Sequence, residues 1–245
     1  MSNSPSRSVI VTGASGGIGR AVAERLAADG MSVLVHYAGN PATAEEVVAG
    51  ITASGGTATS FGGDVADETA MANLFEHATT IFGGIDVVVN AAGIMPLAPV
   101  ATMDLETFDR VQRTNVRGTF VVSQLAARSV RAGGAIINFS TSVTRLQLPT
   151  YGAYAMSKGA VEALTLILAR ELRGKDVTVN VVAPGPTATP LFFEGKPQEV
   201  IDRIAGANPM ERLGTPQDIA ETTAFLAGPA RWVNGQVIYT NGGAA

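Results

Sequence analysis

Seven short runs of mostly apolar, β-branched residues, at 9–12, 32–37, 57–61, 85–90, 135–140, 177–182 and 236–240, constrain this chain more than any other feature. They are too short for buried helices, and most lack the polar alternation of a strand with one wet face. They read as strands covered on both sides. Between them apolar residues recur at helical spacing: Ile18, Ala21, Val22 and Leu26 form one stripe, which Gly30 ends. Asn40 caps and Pro41 opens a helix to about Ile51, and Asp67 starts one that ends near Phe82. Further helical stretches are expected at 104–131, with a break near Asn115, and at 150–172, 198–205 and 216–226. This alternation predicts an α/β fold: a seven-stranded, mainly parallel sheet with right-handed crossovers and helices on both faces. Ligands of such sheets bind at the carboxyl ends of the strands.

With 245 residues, 46% of them hydrophobic and 16% charged, the chain suits one domain spanning 1–245 better than two small ones. A net charge of −4 without any Lys/Arg run argues against nucleic acid as a partner. The absence of cysteine excludes disulfides, thiol nucleophiles and thiolate metal sites, and fits a reducing cytoplasm. Residues 1–8 read as a polar, flexible tail without the apolar core of a signal peptide, and no apolar run reaches membrane-spanning length. The histidines, His36 and His77, have no spacing that makes a metal pair.

The first strand runs into Thr12-Gly13-Ala-Ser15-Gly16-Gly17-Ile18-Gly19, directly before a helix. Gly13 allows a tight turn, Gly17 lets the main chain approach a diphosphate, and Gly19 permits close helix–sheet contact. After the fourth strand, Asn90-Ala91-Ala92-Gly93 leaves room for a flat ligand. Asp64-Val65 follows the third strand; its carboxylate either accepts from an adenine amino group or serves as a turn residue. In Tyr151-Gly-Ala-Tyr154-Ala-Met-Ser-Lys158, a helix would place a phenol and an ammonium one turn apart on one face, as an acid/base pair. Tyr154 has the required spacing to Lys158, which leaves Tyr151 to shape a pocket.

Thr-Gly-x-x-x-Gly-x-Gly, Asn-Ala-Ala-Gly, Thr114-Asn115-Val116, Tyr-x-x-x-Lys and Pro184-Gly185-Pro186-Thr187 occur in the order and spacing of the short-chain dehydrogenases/reductases. The chain resembles that family over almost its whole length, its 3-oxoacyl-[acyl-carrier-protein] reductases and carbonyl reductases included. The resemblance implies a Rossmann fold, a nicotinamide cofactor, a homotetramer, and hydride transfer between a carbonyl and an alcohol. It assigns Lys158 to the nicotinamide ribose, Asn115 to a water in a proton relay, and Pro184, Gly185 and Thr187 to the cofactor. Hydride arriving at a carbonyl carbon builds charge on oxygen, which needs a proton donor and hydrogen bonds aimed at it. Tyr154 is the expected donor, with Lys158 and an oxidised nicotinamide lowering a phenol pKa that is ordinarily about 10. Where the family has a substrate-orienting serine, an ungapped count places Thr141; Ser142 follows it, and a loop shift by one would present Ser142 instead.

At the end of the second strand, His36-Tyr37-Ala38-Gly39-Asn40 contains no acid to hold a ribose 2′-hydroxyl and no arginine for a 2′-phosphate. NADP(H) is expected in preference to NAD(H), with Ser15, Asn40, Tyr37 and main-chain amides around the adenosine end. The segment 187–209 is the expected substrate loop, its Leu191 and Phe192 joining Met95, Leu148 and Tyr151 around a carbonyl or alcohol substrate. Phe192 and Phe193 suit a core or subunit contact equally well. An acyl-carrier substrate would need a basic surface near the pocket, for which Arg128, Arg131, Arg173 and Lys175 are candidates. The rival to an enzyme is a dinucleotide-binding redox sensor without turnover.

Overall fold

A computed structural model describes residues 6–245, so most of the expected tail, residues 1–5, lies outside the described residues. The remainder of that stretch is tied down: Ser6 Oγ donates to Gly30 O at 2.6 Å, and strand β1 begins at buried Ser8. Seven strands, β1 (Ser8–Thr12), β2 (Ser32–Tyr37), β3 (Thr57–Gly62), β4 (Ile85–Asn90), β5 (Val130–Phe139), β6 (Thr178–Pro184) and β7 (Val237–Thr240), pair in the order β3-β2-β1-β4-β5-β6-β7. Every pair is parallel. Helices α1 (Gly17–Ala28), α2 (Pro41–Ala53) and α3 (Glu68–Phe82) follow the first three strands. After β4 come α4 (Leu105–Val111), a π-helical turn (Gln112–Arg117) and α5 (Gly118–Ser129); after β5 come α6 (Val143–Leu146) and α7 (Gly152–Glu171). Between β6 and β7 lie α8 (Pro190–Phe193), α9 (Gln198–Ala205) and α10 (Pro216–Ala227).

The two apolar clusters lie on opposite faces of the sheet. Val9, Val11, Val33 and Val35 pack against α1, α2 and α10, while Ile10, Leu34, Val88 and Ile136 pack against α3, α5 and α7. Alternate residues of one strand thus fill both cores, which is why these strands show no polar face. Helix starts follow the expected chemistry: Asn40 Oδ1 accepts from Ala42 N–H, and Asp67 accepts from the amides of Thr69 and Ala70.

Three local expectations change. The helix expected to reach residue 131 stops at Ser129, because Val130 joins the sheet opposite Ile85 before a register shift restores pairing at Ala135. Arg131 is then held by Asp86 through Nε at 3.0 Å and Nη2 at 2.6 Å, at the amino edge of the sheet. The short helices α6 and α8 sit in stretches without apolar periodicity; Thr189 caps the latter, its Oγ1 accepting from Phe192 N–H.

At the switch point between β1, β2 and β4, buried His36 is a cross-brace. Its Nδ1 accepts from Gly13 N–H at 3.3 Å and its Nε2 lies 2.9 Å from Gly63 O, which makes it a neutral Nε2–H tautomer. Burial, the largest influence, lowers its pKa below the usual value near 6.5. The folded state therefore resists protonation that the unfolded chain accepts, and this contribution to stability is lost as pH falls below about 6.5. His36→Ala should destabilise the fold by about 2 kcal/mol, since two partly buried main-chain partners lose their hydrogen bond. Urea unfolding of both proteins between pH 5 and 8 checks this, with the variant expected to show the shallower loss toward acid.

Candidate active site

The carboxyl ends of β1, β4, β5 and β6 surround a cavity of about 160 Å³ with largely apolar walls. On one side is the glycine turn. Gly13 has φ +65°, and a Cβ there would stand 2.9 Å from Ala92 Cα. A Cβ on Gly19 would stand 2.2 Å from Gly13 O, so only glycine lets α1 start this close to β1. No side chain caps Gly16 at the head of α1, which leaves the first amides of that helix to face an anion. Ile18, Ala91, Gly93, Pro184, Gly185 and Thr187 line the cavity beside this turn, and Ser15 is half-buried within it. This amide-rich cradle fits a dinucleotide diphosphate.

The other wall carries the acid/base groups. Tyr154 and Lys158 lie one turn apart on α7, with Lys158 Nζ 5.8 Å from the Tyr154 ring centroid. Lys158 Nζ donates to Phe139 O at 2.8 Å, which docks α7 on the end of β5. Thr141 and Ser142 both line the cavity but differ in orientation. Thr141 stands on the Tyr154 side of the cavity, close enough for its hydroxyl to draw the phenol pKa down, and its Oγ1 accepts from Val143 N–H at 3.3 Å. Ser142 Oγ turns away, donating to Ala183 O at 3.4 Å and accepting from Asn241 Nδ2 at 3.1 Å.

Burial dominates both ionisations. It pushes the Tyr154 phenol up to about 12, against a smaller downward pull from the Thr141 hydrogen bond, and the Lys158 ammonium down to about 8. Lys158 Nζ is directed at a main-chain carbonyl, and burial is the largest influence on the phenol. Burial also raises the phenol of Tyr151, whose ring meets Tyr154 edge-on with centroids 6.4 Å apart. Met95, Leu148, Leu191 and Phe192 complete the cavity; Phe193 is 41% exposed and is not part of it.

Several expected residues serve from behind. Asn115, fully buried in the π-helical turn, accepts from Ile94 N–H through Oδ1 at 2.9 Å and donates through Nδ2 to Ile94 O and Ser157 Oγ. Its main-chain carbonyl accepts from Thr119 Oγ1 at 2.8 Å. Asn90 points into the core, donating to Asn138 Oδ1 at 2.8 Å, and Asn138 donates to Thr165 Oγ1 on α7. Asp64 accepts from Ala66 N–H and from Arg113 Nη2, which together outweigh the opposing effect of burial and keep its pKa low. Val65 is buried against Gly118, Tyr37 covers Gly62, and Asn40 is spent on its helix cap. Arg131 and Lys175 do not flank the cavity; they bond Asp86 and Ala127 O, toward the amino edge of the sheet.

One contributor had no sequence signal. Glu162, one turn beyond Lys158, accepts from Ser140 Oγ at 2.6 Å and Thr144 Oγ1 at 3.0 Å, bracketing Thr141 and Ser142 from both sides. Only the folded loop brings these hydroxyls to it. Among the described residues no cluster of side chains could hold a metal ion, and no helix is long and apolar enough to cross a membrane.

A family profile described as "Enoyl-(Acyl carrier protein) reductase" matches residues 13–245. A short-chain type dehydrogenase/reductase of Picea abies is 44% identical across 97% of this chain and 92% of its own length. An NADPH-dependent aldehyde reductase 2, chloroplastic, of Arabidopsis thaliana is 39% identical across 97% and 93%. A short-chain dehydrogenase of Burkholderia cenocepacia, solved in complex with NADP, superposes with TM-score 0.91 at 36% identity, covering 97% of each chain. The chain belongs to the short-chain dehydrogenase/reductase family, with the Rossmann fold of that family. It is an oxidoreductase of carbonyl and alcohol groups, and no observation favours the sensor alternative.

Glu162→Ala should release the 140–144 segment and lower kcat by about tenfold or more, while NADPH still binds. Steady-state kinetics with a fluorescence titration of NADPH separates the two effects.

Proposed function

We propose that this protein reduces a ketone or 3-oxoacyl carbonyl with NADPH, reversibly, with Tyr154 as general acid. The observation that carries this reading is the convergence of the Tyr154 phenol and the Thr141 hydroxyl in one cavity, beside Lys158 and opposite the glycine cradle. NADPH, when bound, supplies the hydride. As the carbonyl carbon becomes tetrahedral, the electron pair left on oxygen takes the phenol proton of Tyr154, and the phenolate regains a proton from solvent. Thr141 donates a hydrogen bond to the same oxygen, so the developing charge meets two donors. Lys158 holds the nicotinamide ribose and lends positive charge to the pocket. Ser142, bonded to Ala183 O and Asn241, braces the strand end rather than meeting substrate. Asn115 holds Ile94 and the start of α7 in place.

With its phenol pushed up to about 12 by burial, Tyr154 is protonated at neutral pH, as a proton donor to the carbonyl oxygen must be. NADPH is supported over NADH by the lack of an acid at 36–40, where a carboxylate would repel a 2′-phosphate, and by the NADPH-dependent relative. A homotetramer is supported by exposed apolar residues on α5 and α7, Phe120, Met156, Leu166 and Ile167, with Phe225 and Trp232 exposed as well. The cytoplasm is the proposed location, since a chain without cysteine suits a reducing compartment.

A panel of ketones run with NADPH and NADH tests the reading. NADPH oxidation should be the faster with at least one ketone, Tyr154→Phe should lose about 10²–10⁴-fold in kcat, and Thr141→Ala should lose about 10²-fold. Ser142→Ala should retain turnover within about threefold. NADH preferred by about tenfold, or Ser142→Ala costing more than Thr141→Ala, contradicts it.

A further inference from the structure

A second chamber of about 570 Å³ adjoins the catalytic cavity, and Met95 and Leu191 form part of the wall of both. Its near walls are apolar, from Ile94, Met95, Pro96 and Leu97 on one side and Leu191 on the other. Its far walls carry Arg110 and Thr114 from the α4 and π-helical segment, with Glu194 and Lys196 from the loop after α8. The charged groups are not equivalent. Lys196 Nζ is committed to Phe192 O at 2.7 Å and stands 4.9 Å over the Phe192 ring, with Glu194 as its electrostatic neighbour. Arg110 is exposed and has no hydrogen-bond or ion-pair partner among the described residues; Asp104, whose carboxyl it helps hold down, is spent on capping α4.

We propose that this chamber is the far half of the substrate site and takes an apolar chain ending in a carboxylate, which Arg110 holds. The inference rests on the ketone-reductase reading above and extends it to a substrate class: ω-carboxylated ketones. The catalytic cavity is small, and part of it lies beside the glycine cradle, while Met95 and Leu191 lead a longer substrate from it into the second chamber. The walls met first are apolar and the group met last is a guanidinium free to pair. Arginine suits a carboxylate because its fork makes two parallel hydrogen bonds. A neutral ester of the same length would fill the apolar passage but leave Arg110 without a charged partner.

The test uses methyl ketones, CH3CO(CH2)nCOO⁻, of increasing chain length, each beside its methyl ester, with saturating NADPH. Wild type should prefer the acid over the ester by about tenfold or more in kcat/KM at an optimal length. Arg110→Gln should abolish that preference while leaving ester turnover and NADPH affinity unchanged. A parallel calorimetric titration of the acids into NADP⁺-saturated Tyr154→Phe protein, with and without Arg110→Gln, reads binding without chemistry. Acid affinity that ignores Arg110 at every length overturns the chamber assignment. Affinity that depends on Arg110, with no turnover of any ketone by wild type, supports the chamber and overturns the reductase reading instead.

Discussion

The ammonium of Lys158, hydrogen-bonded to the carbonyl of Phe139, is the contact on which the site depends. It joins the carboxyl end of β5 to the start of α7, and so sets the hydroxyl of Thr141, two residues past Phe139, against the phenol of Tyr154. Beneath it, Asn90, Asn138 and Thr165 link β4, β5 and α7 through buried side-chain bonds. Such a bond chain in a low-dielectric interior has few alternative arrangements, because an unpaired member costs about 1–3 kcal/mol. Above it, Glu162 gathers Ser140 and Thr144. The reactive surface is a short piece of chain between two fixed braces.

Burial that makes the pocket selective also sets its ionisation. Withdrawing water keeps a proton on Tyr154 and weakens the hold of Lys158 on its own, so both groups lean toward their neutral forms. For reduction this is the useful arrangement, since the acid must arrive protonated. For the reverse reaction, phenolate formation needs added positive charge, and an oxidised nicotinamide is the natural source.

Much of this was legible in the chain. β-Branched runs marked the strands because the inner ones, such as β1, β4 and β6, are covered on both faces, whereas the edge strands β3 and β7 are only partly buried; the expected 32–37 and 85–90 coincide with β2 and β4. The glycine turn could be read because positive φ and close approach demand glycine at Gly13 and Gly19. Choosing between Thr141 and Ser142 was beyond spacing, since it depends on which hydroxyl meets Ala183 O and Asn241 across β6 and β7. Glu162 was silent for a related reason: it acts through Ser140 and Thr144, which are distant from it in sequence. The upward push of burial on Tyr154 has no signal in motif spacing, because burial belongs to the packed site.

The most direct measurement is the pH dependence of kcat/KM for ketone reduction at saturating NADPH. Tyr154 stays protonated until about pH 12, so the alkaline limb belongs to Lys158, whose ammonium is lost near pH 8. The account predicts activity that is level below this point, falls above about pH 8, and loses that inflection in Lys158→Arg, whose charge persists. Activity that holds or rises beyond pH 9, roughly one unit past the Lys158 value, would contradict it.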